Sequence, residues 1–228
     1  IDSFRSLLGT GENIGVNFSY KVQNKPSGIA EAFILAEEFI GSDDVCLVLG
    51  DNIFHGEKFK KILKKAQLEN VATLFGYKVM DPNRFGVAEV EKKRIISLEE
   101  KPKKPKSNIA VTGLYFYPND VVKKAKSLNP SARGELEITD FNNLLINDNK
   151  IELIEMGRGY AWFDCGTASG LLEASTFIKT VETFQGIKIG CPEEISLNKK
   201  LINKKKLKKY LKKIPSSEYK VYLETLLV

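Results

Sequence analysis

The stretch Cys46–Phe54, "CLVLGDNIF", sets an aliphatic run against an abrupt Gly-Asp-Asn. The aliphatic half reads as a fully buried strand of a mainly parallel sheet, where both faces are covered and polar alternation is lost. Asp51 then stands where the chain leaves the core. A carboxylate there is either turn chemistry or part of a site at the carboxyl ends of the strands, where open α/β sheets place their ligands.

Outward from this stretch, strands alternate with helices. Upstream, "IDSFRSLLGTG" reads as a helix closed by glycine, "VNFSYKV" as a short strand, and "PSGIAEAFILAEEFIG" as one helix ending at Gly41. Downstream, a Lys-rich amphipathic helix from Glu57 to about Leu68 leads into the strand "VATLFGYKV". The segment from Phe85 to Leu128 reads as an excursion from the sheet and a return through the apolar "IAVTGLYFY". "SARGELEITDFNNLLI" is a loop running into a helix, and "KIELIEMGRGYAWFDCGT" is a strand region ending at Asp164. Helical periodicity follows, and the lysine-rich tail is expected to be helical too. The pattern predicts an α/β fold with a mixed, mainly parallel, Rossmann-like sheet flanked by helices and followed by C-terminal helices. Residues 1–185 are expected to form the α/β domain and 186–228 a helical extension.

Composition narrows the function classes. With 43% hydrophobic and 28% charged residues the chain has the balance of an ordinary globular protein. No apolar run approaches the ~18 residues of a membrane span, and no signal-peptide pattern opens the chain. Cys46, Cys165 and Cys191 are far apart without a Cys-x-x-Cys pair, which argues against a disulfide framework and a zinc site and for a reducing cytoplasm. The net charge of +6 is local, because residues 199–213 hold nine lysines and no acid, and the rest of the chain is net negative. Leu207, Tyr210, Leu211 and Ile214 form a helical stripe there, so one side packs and the lysines are solvated. RNA or an anionic membrane is the competing reading.

Several residues could carry chemistry. Asp51 and Asp164 each end an apolar or aromatic stretch beside a glycine-containing turn, and two such carboxylates would suit Mg²⁺. Lys101 could hold a phosphate as a point charge and Glu100 could accept hydrogen bonds from hydroxyls, or both could belong to a solvated loop. Arg133, just before a helix start, would favour an anion or be an exposed loop residue. Gln23, Pro26 and Gly28 lie between a strand and a helix, where Gln23 could read a base edge or cap a turn. Trp162 could stack on a sugar or fill core. His55, the only histidine, reads as a surface or turn residue. A P-loop, a dinucleotide glycine fingerprint and a Gly-x-Ser-x-Gly elbow are all missing.

Six stretches in fixed order, "YKVQNKPSGIAEAFILAEEFIG", "LVLGDNIFHG", "SLEEKPKKPKSNIAVTGLYFYPNDVV", "PSARGELEITD", "MGRGYAWFDCGT" and "GIKIGCPEE", closely resemble the glucose-1-phosphate thymidylyltransferases. These are sugar nucleotidyltransferases of the nucleotide-diphospho-sugar transferase fold. The resemblance implies that glucose 1-phosphate attacks the α-phosphate of dTTP, expelling pyrophosphate and giving dTDP-glucose for deoxysugar synthesis of the dTDP-rhamnose type. It implies Mg²⁺ on Asp51 and Asp164, with Lys101 and Arg133 as the further catalytic groups on the sugar phosphate. Gln23, Pro26 and Gly28 are implied on the thymine side. Leu49, Asn52, Gly86, Glu100, Val111, Tyr115 and Trp162 are implied around the glucose. It further implies a cytoplasmic homotetramer without nucleic-acid or membrane partners, and a regulatory nucleotide-sugar site that would include Cys191 and Ile195.

Three departures qualify the resemblance. The family's glycine-rich triphosphate loop and first strands would precede Ile1, so the chain is expected to be an N-terminally truncated piece, inactive alone on dTTP. Cys165 replaces the usual threonine beside the metal aspartate. Asn198 and the following lysines replace the family's arginine, which argues against feedback control. The alternatives are a nucleotidyltransferase for another sugar or base, a non-catalytic nucleotide-sugar-binding fragment, and a nucleic-acid binder working through the lysine tail.

Overall fold

The computed structural model describes residues 1–92 and 94–228. In chain order its elements are α1 (Asp2–Leu8), a 3-10 turn (Glu12–Ile14), α2 (Glu31–Leu35), α3 (Glu37–Ile40), β1 (Val45–Val48), β2 (Asn52–Gly56) and α4 (Phe59–Leu68). Then come β3 (Ala72–Lys78), a 3-10 turn (Pro82–Arg84), β4 (Gly86–Glu91), β5 (Arg94–Glu100), β6 (Ile109–Tyr117), α5 (Val121–Lys126) and α6 (Ile138–Asn147). The chain closes with β7 (Ile151–Met156), β8 (Tyr160–Asp164), α7 (Ala168–Gln185), α8 (Pro192–Asn198), α9 (Lys204–Leu211) and α10 (Glu218–Thr225). Two compact units result, Gln23–Ala174 and a second made of Ile1–Val22 with Ser175–Val228. The boundary thus falls within α7 rather than at residue 185, and the first 22 residues group with the carboxy-terminal helices.

The α/β unit is built on a mixed sheet of order β5-β4-β6-β3-β7, with β1 also on β6. Among the described residues β1, β3, β4 and β7 run one way and β5 and β6 the other, but only the β3·β7 ladder is parallel. The β4–β5 hairpin and the long return strand β6 put antiparallel neighbours into the centre of the sheet. Alternation along β3 and β6 feeds two cores, one on each face. Leu74, Tyr115 and Tyr117 join Phe33, Phe141 and the apolar sides of α2, α5 and α6 on one face. Phe75 and Leu114 join Ala66 and Met156 on the other. Tyr117 stands edge-on to both Phe33 and Phe141, at 5.2 and 5.4 Å between ring centroids. Its hydroxyl donates to Asn142 Oδ1 at 2.8 Å, so the buried oxygen is satisfied.

Four sequence expectations are corrected. "VNFSYKV" forms no strand, because Val16 and Phe18 direct their N–H groups to the carbonyls of Gly11 and Thr10 and no ladder partner is found for them among the described residues. "PSGIAEAFILAEEFIG" is two short helices interrupted at Ala36, although Gly41 does close the second at φ 54°. The strand of the opening stretch is only half buried. Among the described residues β1 is paired on one side alone, and Cys46 and Val48 are exposed while Val45 and Leu47 pack. His55 lies within β2 rather than in a turn.

The second unit has its own small core of Cys191, Ile202, Leu207, Leu211 and Leu223. Asn203 and Ser217 cap α9 and α10 by accepting the N–H of the residue three positions on. Among the described residues no helix is long and apolar enough to cross a membrane.

Candidate active site

The site begins at a fork in the sheet. One edge of β6 is followed by β3, while its other edge pairs with β4 at Ala110 and with β1 from Leu114 to Tyr117. Between these two partners the edge opens at Val111–Gly113. A turn from β1 fills part of the opening: Leu49 N–H donates to Gly113 O at 2.8 Å, and Asn52 N–H closes the turn onto Leu49 O at 3.1 Å. Asp51 is therefore both a turn residue and the point from which the chain enters β2.

The β2·β8 ribbon then brings the second aspartate in. Its register pairs Asn52 with Asp164, and Cys165 N–H donates to Asp51 O at 2.7 Å. The two carboxylates converge on Gly166: a Cβ there would lie 3.3 Å from Asp164 Oδ1 and 3.5 Å from Asp51 Oδ2. Gly166 N–H itself donates to Asp164 Oδ1 at 3.2 Å. A glycine at 166 keeps the space between the carboxylates open, where a Cβ would sit against both of them. Among the described residues no group of three or more His, Cys, Asp or Glu side chains clusters as a metal cage. Two hard oxygen donors facing open space remain, the donor set that Mg²⁺ takes when phosphate and water supply its other ligands. Burial, with the Asp164 and Asp51 charges adding to it, raises the Cys165 thiol above its ordinary value.

Asn52 ties the fork to the ribbon. Its Oδ1 accepts from Gly113 N–H at 2.8 Å and from Trp162 Nε1 at 2.7 Å, and its Nδ2 donates to Asp51 Oδ1 at 2.8 Å. Gly113 has to be glycine, since an added Cβ would meet the Asn52 amide at 2.7 Å. Trp162 is packed between the inclined rings of Phe85 and Tyr77, at 5.1 and 5.9 Å between centroids.

The opposite wall comes from the β4–β5 hairpin and the loop before α6. Glu100 ends β5 with Oε2 accepting from Thr139 Oγ1 at 2.7 Å and Oε1 3.9 Å from Lys101 Nζ. Lys101 holds φ 45°, a left-handed conformation unusual for a side-chain-bearing residue, with its N–H on Phe85 O at 3.0 Å. Arg133 is clamped to Glu137 through Nε at 3.0 Å and Nη2 at 2.8 Å, and that pairing holds its guanidinium above the usual range. The loop carrying Arg133 is strapped to residues 27–30 by Leu136 N–H to Ser27 O and Ala30 N–H to Leu136 O, at 2.7 and 3.1 Å. Gly28, at φ 97°, faces the Leu136 backbone too closely to carry a side chain. Gln23 Nε2 donates to Gly28 O at 3.0 Å and Glu31 Oε2 at 2.6 Å, which turns its Oε1 away from both.

These walls enclose an open cleft of about 420 Å³. Gln23, Pro26, Gly28, Leu49, Asp51, Asn52, Gly86, Glu100, Lys101, Val111, Tyr115, Arg133, Trp162 and Asp164 all line it. Cys191 and Ile195 are not among the residues that line it; both belong to the other unit, Cys191 buried beside α8 and Ile195 half exposed on it. Sequence reasoning missed Arg84, Phe85, Gly113 and Thr139. Arg84 Nη2 lies 4.0 Å from Asp164 Oδ2 and its guanidinium sits over the Phe85 ring at 5.4 Å. The signal for Arg84 was its place two residues before Gly86. Thr139 and Gly113 are linked to the site only by contacts 39 and 61 residues away in sequence.

Known proteins resemble this chain over most of its length. The nucleotidyl transferase family model matches residues 2–181. A glucose-1-phosphate thymidylyltransferase from Neisseria meningitidis serogroup A is 49% identical over 99% of this chain and 79% of that protein. One from Mycolicibacterium smegmatis is 45% identical over 99% of this chain and 78% of its own length. Among solved structures, a candidate glucose-1-phosphate thymidylyltransferase from Bacillus anthracis in complex with sucrose superposes with a TM-score of 0.73. It is 40% identical and covers 85% of this chain and 76% of its own. The chain belongs to the nucleotidyl transferase family, within its glucose-1-phosphate thymidylyltransferase group.

Proposed function

We propose that the cleft transfers a thymidylyl group from dTTP to α-D-glucose 1-phosphate, yielding dTDP-glucose and pyrophosphate. The observation that carries this reading is the convergence of Asp51 and Asp164 on Gly166 in the same cleft as Glu100 and Lys101. The two carboxylates would hold Mg²⁺, whose charge, when bound, neutralises the phosphate oxygens and withdraws electrons from the α-phosphorus. Lys101 and Arg133 bind the sugar phosphate so that one of its oxygens points in line at that phosphorus. As the new P–O bond forms, the bond to pyrophosphate breaks, and no enzyme nucleophile intervenes. Glu100 accepts sugar hydroxyls, Trp162 provides the apolar floor, and Leu49, Gly86, Val111 and Tyr115 close the pocket around the ring.

Asn52 faces the same sugar but has little left to offer it. Both its amide groups already serve the protein, and one Nδ2–H remains without a protein partner among the described residues. On the base side, Gln23 Oε1 would accept a pyrimidine N3–H beside Pro26 and Gly28. Thymine and uracil both carry that hydrogen, so Gln23 selects for a pyrimidine without separating dTTP from UTP. The product suits deoxysugar synthesis of the dTDP-rhamnose type, and the resemblance favours a cytoplasmic homotetramer.

The test is an assay of the gene's full product with glucose 1-phosphate, Mg²⁺ and each of dTTP and UTP, reading pyrophosphate release and nucleotide-sugar formation. The proposal expects dTDP-glucose as the main product. Transfer to other sugar phosphates in preference to glucose 1-phosphate, or no nucleotide sugar at all, would overturn it.

A further inference from the structure

The strongest feature that the cleft leaves unused is the lysine-rich segment of the other unit. It is not a convex solvated helix face. The 3-10 turn Glu12–Ile14 stands against α9, and between them lies a groove of about 700 Å³. Six lysines line it (205, 206, 208, 209, 212 and 213), with Asn13, Asn203 and the ring of Tyr210 among them. Glu12 is the one acid on its wall. Among the described residues none of the six lysines forms an ion pair. Five of them are exposed and Lys206 is half-buried. Lys204 is different, since its Nζ donates to the carbonyls of Leu227 and Val228 at 3.1 and 2.7 Å.

We propose that this groove binds a linear chain of phosphates, the chemistry shared by single-stranded nucleic acid and inorganic polyphosphate. Three observations select that ligand. First, the apolar residues of α9 are already spent: Leu207 and Leu211 are buried in the unit's own core with Ile202 and Leu223. No apolar face is left to enter a lipid surface, which an interfacial helix requires. Second, the cations are all lysines, compact point charges without the guanidinium fork that reads a base edge or grips one phosphate bidentately. The groove therefore follows a backbone and ignores sequence. Third, the length fits. Lys205 to Lys213 spans about 12 Å at the helical rise, and at about 3.4 Å per phosphate that covers roughly four phosphates. Tyr210, the aromatic ring in the groove, offers a base a stacking surface.

The experiment is fluorescence anisotropy of a labelled 15-mer oligo(dT) with the full chain across a salt series. Neutralising about four phosphates on a single strand predicts a slope of log K against log salt of about −3. The variant K205Q/K208Q/K209Q/K212Q should flatten that slope by about 3. A matched variant, K60Q/K61Q/K64Q/K65Q, removes four exposed lysines from α4, outside the groove, and should change it by less than about 1. Displacement of the oligonucleotide by polyphosphate at equal phosphate concentration would assign the groove to bare phosphate chains. Failure to displace would assign it to nucleic acid. The proposal is overturned if the parent chain does not bind or shows a slope shallower than about −1. It is equally overturned if both variants lose binding alike, or if phosphatidylserine vesicles bind where the oligonucleotide does not.

Discussion

Replacing Asn52 by Leu tests how the cleft is held together. The substitution keeps the side chain's size but removes the one oxygen that accepts both Gly113 N–H and Trp162 Nε1–H. Each orphaned donor costs about 1–3 kcal/mol when fully buried. Both are partly buried here and water in the open cleft recovers some of that, so about 1 kcal/mol each, or about 2 kcal/mol in all, is the working figure. For a chain of this size that corresponds to a fall in Tm of about 4–8 °C. Trp162 is the only tryptophan, so the protein's emission reports on this site alone. Its spectrum should shift as the indole N–H loses its fixed partner. Asn52→Asp, which keeps an acceptor for both donors, should restore the emission even though the extra charge beside Asp51 lowers stability. A melting point within about 1 °C of the parent together with an unchanged spectrum for Asn52→Leu would refute this assignment of the hydrogen bonds.

Three further perturbations follow from the geometry. Gly28→Ala forces a Cβ into the Leu136 backbone at φ 97°; a loss of about 2 kcal/mol or more is expected by urea unfolding, with the KM for glucose 1-phosphate raised because the loop holding Arg133 shifts. Thr112→Val should be neutral or stabilising by up to about 1 kcal/mol, because Thr112 Oγ1 is buried without a hydrogen-bond partner among the described residues; calorimetry showing a clear loss would contradict it. Burial, reinforced by Glu100 at Tyr115 and by the neighbouring ring at Tyr117, holds both phenols above their ordinary value. A raised folded value means stability that is fully present below about pH 10 and lost as pH rises beyond it, by about 1.4 kcal/mol per pH unit for each phenol. Urea titrations between pH 8 and 11 should show this loss, and Tyr115→Phe should reduce it.

Much of the site was legible because its residues sit in short, ordered motifs. Asp51, Glu100, Lys101, Arg133 and Asp164 each end a strand or open a turn, and turn chemistry marks such positions locally. The burial of β1 was not legible: an aliphatic run reads the same whether a strand is covered on both faces or on one. The failure of "VNFSYKV" to form a strand has the same origin, since strand propensity needs a neighbouring ladder that the local sequence does not specify. Asn52 shows the limit most clearly. As part of Gly-Asp-Asn it reads as a turn residue or a sugar contact, yet its partners lie 61 and 110 residues away. The resemblance supplied which residues share a site. The fork at β6 and the β2·β8 ribbon supply the reason.

The central claim is that Asp51 and Asp164 together hold the cation on which transfer depends. Its most direct test is the rate of dTDP-glucose formation by Asp51→Asn in the gene's full product, with the melting point confirming an intact fold. A fall of at least about a hundredfold is predicted, the scale on which one misplaced electrostatic group impairs such chemistry. A folded Asp51→Asn protein turning over at close to the parent rate would contradict the assignment.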